Sequence, residues 1–359
     1  MAGEDAGGDR DSEPIGADPA DASPDRGPQL TEYAELHGCS CKIGQSDLES
    51  LLAETGLDAD RPELLFGVGE DAAARTVTDD RATVSTIDFF TPIVDDPYAY
   101  GRVAACNAAS DAFAKGATEE LSFLVVLGLP RELTDAAPAI LDGIADAAAS
   151  VDGVVAGGHS VLNPWPLAGA AVTATAHPDD LVTTEGATPG DRLYLTKPLG
   201  TQPAMGALRV RSGEFGDTVR GATDRSIPEI GEAALGWMTT PNRGAAEAFR
   251  EAPVTAATDV TGFGLLGQAE HLAANAGVGI ELTHLPVIAG TPPLSDLFGY
   301  GLLDGESAET SGGLLVAVAP HGGADFEAAL DDRGIFYREV GRVTEPPDVT
   351  LADPTLEEI

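Results

Sequence analysis

Lysine is nearly missing from this 359-residue chain, which has only Lys42, Lys115 and Lys197. Twenty basic residues face 59 acidic ones, for a net charge of −39. Clustered Lys and Arg are what neutralise phosphate backbones and anionic lipid headgroups. This balance therefore excludes nucleic acid and anionic membrane surfaces as natural partners. Cysteine is scarce as well: Cys39, Cys41 and Cys106 are too few for a disulfide framework and suit a reducing compartment. No apolar run approaches the roughly 18 residues of a membrane span. The opening MAGEDAGGDRDSEP lacks a basic region followed by an apolar stretch, so no secretory signal is expected. Together these absences point to the cytoplasm. A P-loop is excluded too, since none of the three lysines precedes Ser or Thr.

What remains is enough for a folded protein. Hydrophobic residues make up 43% of the chain, and its length suggests about two domains. An acidic, lysine-poor but core-forming composition fits a very salty cytosol, where screening over about 3 Å at 1 M limits self-repulsion. Residues 1–28 read as a solvated acidic tail. From 29 to 178, strand and helix signals alternate: strands at Leu64–Phe66, Ala82–Ile87, Leu121–Leu129, Val151–Ala156 and Leu167–Ala176, with helices at Pro97–Lys115 and Thr134–Ser150. Asp95 or Asp96 can cap the first helix and Thr134 the second. The Pro, Asp and Gly cluster at 178–191 marks a domain boundary. A second α/β region over 185–346 has strands near 192–196, 279–283, 313–319 and 339–343 and helices near 228–238 and 263–276. Residues 347–359 read as a loose acidic tail.

Three groups of residues could carry chemistry. Gly67-Val-Gly69-Glu-Asp71-Ala72, with Asp88 downstream, mimics a dinucleotide fingerprint. The gap to the strand at Ala82 is too short for a helical crossover, and Thr78-Asp79-Asp80 is a turn signal, so a β-hairpin is expected. The second group is Asp71, Asp88, Asp111 and Asp259, set among apolar residues or glycines. Asn107 lies one helical turn before Asp111, so both project from one face. Such oxygen ligands suit Mg²⁺ holding triphosphate oxygens. Glycine turns at Gly157-Gly158-His159-Ser160 and Thr310-Ser311-Gly312-Gly313 could supply backbone amides to phosphate. The third is His37-Gly38-Cys39-Ser40-Cys41-Lys42. It has too few spaced ligands for structural zinc, but Lys42 beside the cysteines would favour a reactive thiolate.

Taken in order, LTEYAELHGCSCKIG, GEDAA, STIDFFTPIVDDPYAYGRVAACNAASDAFAKG, AGGHS, TDVTGFGLLG and ETSGGLL resemble the selenophosphate synthetases, within the aminoimidazole-ribonucleotide-synthetase-like superfamily. The resemblance spans about Leu30 to Val343. It implies a two-domain α/β fold whose N-terminal domains pair into a β-barrel in a homodimer. It also implies a reaction in which ATP, selenide and water give selenophosphate, orthophosphate and AMP. Cys39 and Lys42 match the catalytic positions, on a mobile segment over 37–46. Gly69, Glu70, Asp88, Asp111, Gly158, His159 and Ser160, with Lys42, match nucleotide contacts. Asp71, Asp111 and Asp259 match ligands of two or more Mg²⁺, and K⁺ is a further candidate ion. Gln268 and Ser307-Ala308 depart from the family pattern. The rival functions are another ATP-dependent enzyme of the superfamily, or a non-catalytic ATP-binding selenium or redox sensor.

The charge balance yields a direct expectation. The melting temperature should rise steeply as KCl increases from about 0.1 M to about 3 M, because screening relieves repulsion in the fold. A flat thermal-denaturation series would contradict the high-salt reading.

Overall fold

The computed structural model describes residues 29–43, 50–51, 55, 62–212, 215–345 and 348–359. The segment 1–28 and residues 44–46 of the segment 37–46 lie outside the described residues. The first regular element is a hairpin, Ala73–Thr78 (β1) and Arg81–Phe90 (β2), turning at Asp79-Asp80. The hairpin matches expectation, but its first strand does not. Leu64–Phe66 contributes only a bridge from Phe66 to Ala74, and the GEDAA stretch runs directly into β1.

Pro97–Ala114 (α1) follows, capped by Asp96, whose carboxylate accepts from Ala99 N at 2.6 Å. Glu119–Leu129 (β3), Ala137–Ser150 (α2), Val154–Leu162 (β4) and Leu167–Ala176 (β5) complete the first half. A 3₁₀ turn at Arg131–Ala136 replaces the expected start of α2. Thr134 is not a cap there; its hydroxyl donates to Arg131 O. The sheet order is β1-β2-β5-β3-β4, antiparallel except for β3 and β4, which α2 links in parallel. Gly157 to Ser160, expected as a turn, is instead the middle of β4, an edge strand whose nine residues are all exposed.

The second half comprises Arg192–Leu195 (β6), Thr201–Arg209 (α3), Gly216–Ala222 (α4), Ile227–Met238 (α5), Arg243–Glu247 (α6) and Val254–Asp259 (β7). It continues with Gly264–Ala276 (α7), Gly279–Val287 (β8), Pro292–Phe298 (α8), Leu314–Val318 (β9), Gly323–Asp332 (α9), Arg338–Thr344 (β10) and Val349–Glu358 (β11). Its sheet runs β11-β8-β10-β6-β9-β7. β11 corrects the expected loose tail at 347–359: from Val349 it pairs in parallel with β8 on either side of a break between Leu351 and Thr355, and Glu357 binds Arg338 at 2.7 Å. β7 was also unforeseen, and it places Asp259 at a strand end. Among the described residues no helix is long and apolar enough to cross a membrane.

One buried cluster runs continuously from the first sheet through α1 into the helices of the second half. α1 is apolar on nearly every side because it is enclosed on nearly every side, by the first sheet, α2, β7, α5 and α6. It crosses α2 with backbones almost touching. A Cβ on Gly101 would lie 2.0 Å from Ile140 O, and one on Gly143 2.1 Å from Tyr98 O. Gly143→Ala should therefore force the helices apart and cost about 1–3 kcal/mol. Urea denaturation would show this as a lower midpoint.

Candidate active site

The aspartates arrive from four elements. Asp71 sits in the loop before β1, Asp88 near the end of β2, Asp111 in the last turns of α1, and Asp259 at the end of β7. They converge on one desolvated cluster. Burial first, then the charges of Asp259 and Asp88, push the Asp111 carboxyl well above the usual range. Burial and the nearby Asp71 push Asp259 up to about 7. For these two groups burial and the neighbouring negative charges act in the same direction, each disfavouring ionisation.

Lysines partly offset this. Lys115 is completely buried, with its ammonium 2.5 Å from Glu70 and 2.8 Å from Asp71, and it donates to Ala257 O at 3.1 Å. Asp71 also accepts from the Thr258 hydroxyl at 2.9 Å. The other oxygen of Glu70 accepts from the amide and hydroxyl of Thr184 at 2.9 and 2.8 Å. The Glu70 carboxylate thus ties the loop to Lys115 and to the segment that leads into the second half. The carbonyl of Gly69, at φ +99°, accepts from Asn275 at 3.0 Å and lies 2.8 Å from His271 Nε2, which fixes the same loop to α7.

Asp88 accepts from Lys42 at 2.8 Å and from Asn107 Nδ2 at 2.6 Å. Burial alone would lower the Lys42 ammonium. The Cys39 sulfur and the carboxylates of Asp88, Asp111 and Asp259 outweigh it and hold it well above its usual value. Asp111 accepts from the Thr86 hydroxyl at 2.5 Å. Asp259 keeps Oδ2 buried with no hydrogen-bond partner among the described residues.

The cysteine segment is docked into this cleft. Gly38 N donates to Thr91 O at 3.0 Å, and Cys39 N to the Thr310 hydroxyl at 3.1 Å. Gly38 has φ +58°, and a side chain there would collide with Thr310 at 2.3 Å, so glycine is required. The Cys39 thiol is fully buried and donates to Asn107 Oδ1 at 3.3 Å. This corrects the expectation of a thiolate favoured by Lys42. In the docked conformation burial dominates and pushes the thiol far above its ordinary value, although Lys42 opposes it. All three cysteines are free.

The Thr310–Gly313 turn is a clasp between the two halves. Ser311 N donates to Asn107 at 2.8 Å, while Ser311 O accepts from Lys197 at 2.8 Å. The neighbouring Glu309, raised to about 7 by burial, accepts from Gly200 N and Thr201 N at 2.7 and 2.8 Å at the start of α3. Lys115, Lys197, Asn242 and Glu309 were not singled out from the sequence. Lysine scarcity was the usable signal, because all three lysines lie in or beside this site.

Gly158, His159 and Ser160 are not brought to the aspartates within one chain. They line a separate groove of about 680 Å³ over β3, β4 and α2, with Val125, Leu127 and Leu162. Nor do the acidic residues form a finished metal cage. Among the described residues no three His, Cys, Asp or Glu side chains are grouped to hold one ion. Lys42 and Lys115 hold Asp88 and Asp71 instead. The orphaned Asp259 oxygen and the mutually raised carboxylates still fit a cation-binding role, since a cation would relieve both.

The raised Asp259 has a consequence for stability. Its carboxyl stays protonated in the fold where the unfolded chain has already lost its proton. Between about pH 4 and pH 7 the folded state therefore binds more protons, and stability falls as pH rises. In Asp259→Asn that decline should be shallower by on the order of a few kcal/mol. Denaturant titrations of the metal-free protein at stepped pH would measure it.

The N-terminal domain of AIR synthase related proteins matches residues 69–176, and the C-terminal domain of the same proteins matches residues 188–353. Solved structures share the fold. The tt0281 protein of Thermus thermophilus superposes with a TM-score of 0.66 at 23% identity, over 88% of this chain and 99% of its own. Thiamine monophosphate kinase of Aquifex aeolicus gives 0.65 at 18% identity, over 88% and 100%. Much nearer in sequence is the selenide, water dikinase of Methanococcus maripaludis, 41% identical over 86% of this chain and 93% of its own length. Those of Methanocaldococcus jannaschii (40% identical; 88% and 93%) and Pseudomonas putida (36%; 88% and 96%) follow the same pattern. On this similarity along nearly its whole length, the chain belongs to the selenide, water dikinase family.

Proposed function

We propose that this enzyme uses ATP and water to convert selenide to selenophosphate, releasing orthophosphate and AMP. The observation that carries the reading is the docking of Cys39 and Lys42 onto the acidic cluster. Lys42 reaches Asp88, and Cys39 reaches Asn107 on the helix that carries Asp111. An ATP-using reaction is supported by the curated relatives' shared name and by the AaThiL structure of the same fold, a complex with AMPPCP and TMP.

The chemistry sets anions against one another, because both ATP and hydroselenide are negative. In this reading Asp71, Asp111 and Asp259 would hold divalent cations such as Mg²⁺, which neutralise phosphate charge and polarise the transferring phosphoryl group. Lys42 lies where it can stabilise charge developing on that group. The docked segment excludes water while selenium attacks phosphorus and the bond to the leaving ADP breaks. Hydrolysis of ADP to AMP and orthophosphate then needs water, so the segment must loosen between the steps. Burial of the protonated Cys39 thiol suits a reserve form that ionises when the segment lifts.

Two copies are proposed to pair through β4. Its exposed Val154, Val155, Val161 and Leu162 lie on an unpaired edge strand, next to the groove that contains Gly158, His159 and Ser160. Pairing would give those residues a neighbour to serve. The unpaired cysteines and the charge balance support a reducing, high-salt cytoplasm, in which K⁺ is the natural monovalent ion.

Lys42→Ala and Cys39→Ser should each lower selenide-dependent AMP formation by at least about 100-fold, with ATP affinity nearly unchanged. Phosphorus NMR in ATP, Mg²⁺ and selenide would follow AMP and the selenium–phosphorus product. ADP as the final product, or full activity in both variants, would overturn the assignment.

A further inference from the structure

Of the three lysines, two have carboxylate partners, and Lys197 has none among the described residues. Lys42 pairs with Asp88, and Lys115 with Glu70 and Asp71. Lys197 follows β6 and is 3% exposed. Among the described residues no carboxylate lies within ion-pair distance of it, and its acceptor is a single backbone carbonyl, Ser311 O. An ammonium group carries three donors, so this one is under-satisfied. In a chain with 59 acidic residues, a buried cation left without one is a selective arrangement. Burial depresses Lys197 to about 8, and the more distant Cys106 and Asp259 offset it only in part.

Lys197 lines a small cavity of about 100 Å³ with Asn242, Thr240, Trp237 and Phe336. Among the described residues no acidic side chain lines it. Asn242 already gives its side-chain amide to the Ser110 hydroxyl at 2.9 Å and to Gly312 O at 2.8 Å. The Thr240 hydroxyl donates to Gly236 O at 2.8 Å. The Lys197 ammonium, with one donor spent on Ser311 O, is thus the one cationic group among the residues that line the cavity, and Trp237 and Phe336 share that lining. Orthophosphate, which needs several donors, is poorly served by one cation. A small, polarisable monoanion is well served.

The cavity sits one layer behind the active site. Ser110, bound by Asn242, adjoins Asp111 and stabilises the Asp259 carboxylate. Ser311, bound by Lys197 through its carbonyl, donates its amide to Asn107, which also receives the Cys39 thiol. We propose that the Lys197 cavity is a binding site for the hydrochalcogenide anion, holding hydroselenide on the far side of the Thr310–Gly313 clasp from Cys39. The proposal rests on the dikinase reading for the identity of its guest.

Bromide is isoelectronic with hydroselenide and serves as the probe. Crystals of the full chain grown with KBr in place of KCl should show anomalous density beside Lys197 Nζ, absent in Lys197→Met. In solution Lys197→Met should raise the KM for selenide about ten-fold while the KM for ATP stays within about two-fold. Phe336→Asp sets a negative charge in the half-buried wall. It should raise the selenide KM in the same way, and it carries the test if Lys197→Met does not fold. No bromide at Lys197 would overturn the proposal. Bromide there with unchanged selenide KM in the variants would mark an adventitious ion only and overturn it equally. A loss confined to kcat would reduce Lys197 to a clamp on Ser311. Failure of the wild-type protein to form AMP from selenide would overturn the dikinase reading instead, whatever the bromide density shows.

Discussion

Charge repulsion among carboxylates withdrawn from water is the constraint around which this molecule is organised. Asp71, Asp88, Asp111 and Asp259 come from both halves of the chain, and bringing them together is costly in a dry setting. Lys42 and Lys115 are placed to relieve it, one from a docked loop and one from the end of α1. The relief is incomplete: Asp111 and Asp259 remain strongly shifted, and one Asp259 oxygen is unpartnered. In this conformation the only cations that reach the cluster from the described residues are those two lysine ammoniums.

The frame that withstands this strain is α1. Because it is enclosed on almost all sides, its positions are fixed relative to both sheets, and Cys106, Asn107, Ser110, Asp111 and Lys115 inherit that rigidity. Asn107 joins Asp88, Ser311 and Cys39. Asn242 joins Ser110 to Gly312. One helix thereby registers the acidic cluster, the clasp of the second half and the cysteine segment against one another.

Much of this was legible from residue order. Asp96-Pro97 announced the start of α1, Asp79-Asp80 the hairpin, and the quoted motifs the family. What escaped depended on tertiary pairing. β11 is an acidic stretch with a Pro inside it, and only the exposed edge of β8 makes it a strand. Gly157-Gly158 resembles a turn locally, yet pairing with β3 extends it. The protonation of Cys39 could not be read from its neighbour Lys42, because desolvation follows from where the loop docks. Lys115 and Lys197 could be flagged only by the scarcity of lysine, since what a buried charge does is decided by its surroundings and not by its sequence context.

The placement of β10 and β11 also bears on how the chain is made. β10 is sandwiched between β8 and β6 near the middle of the second sheet, and β11 closes its edge, yet both follow every other strand of that sheet in sequence. Until they have been made, β6 and β8 have an empty lane between them. The five strands of the first half can be assembled earlier, whereas the second sheet closes only when β10 slots between its neighbours. In an acidic nascent chain, screening by the surrounding electrolyte matters most while that lane stands open.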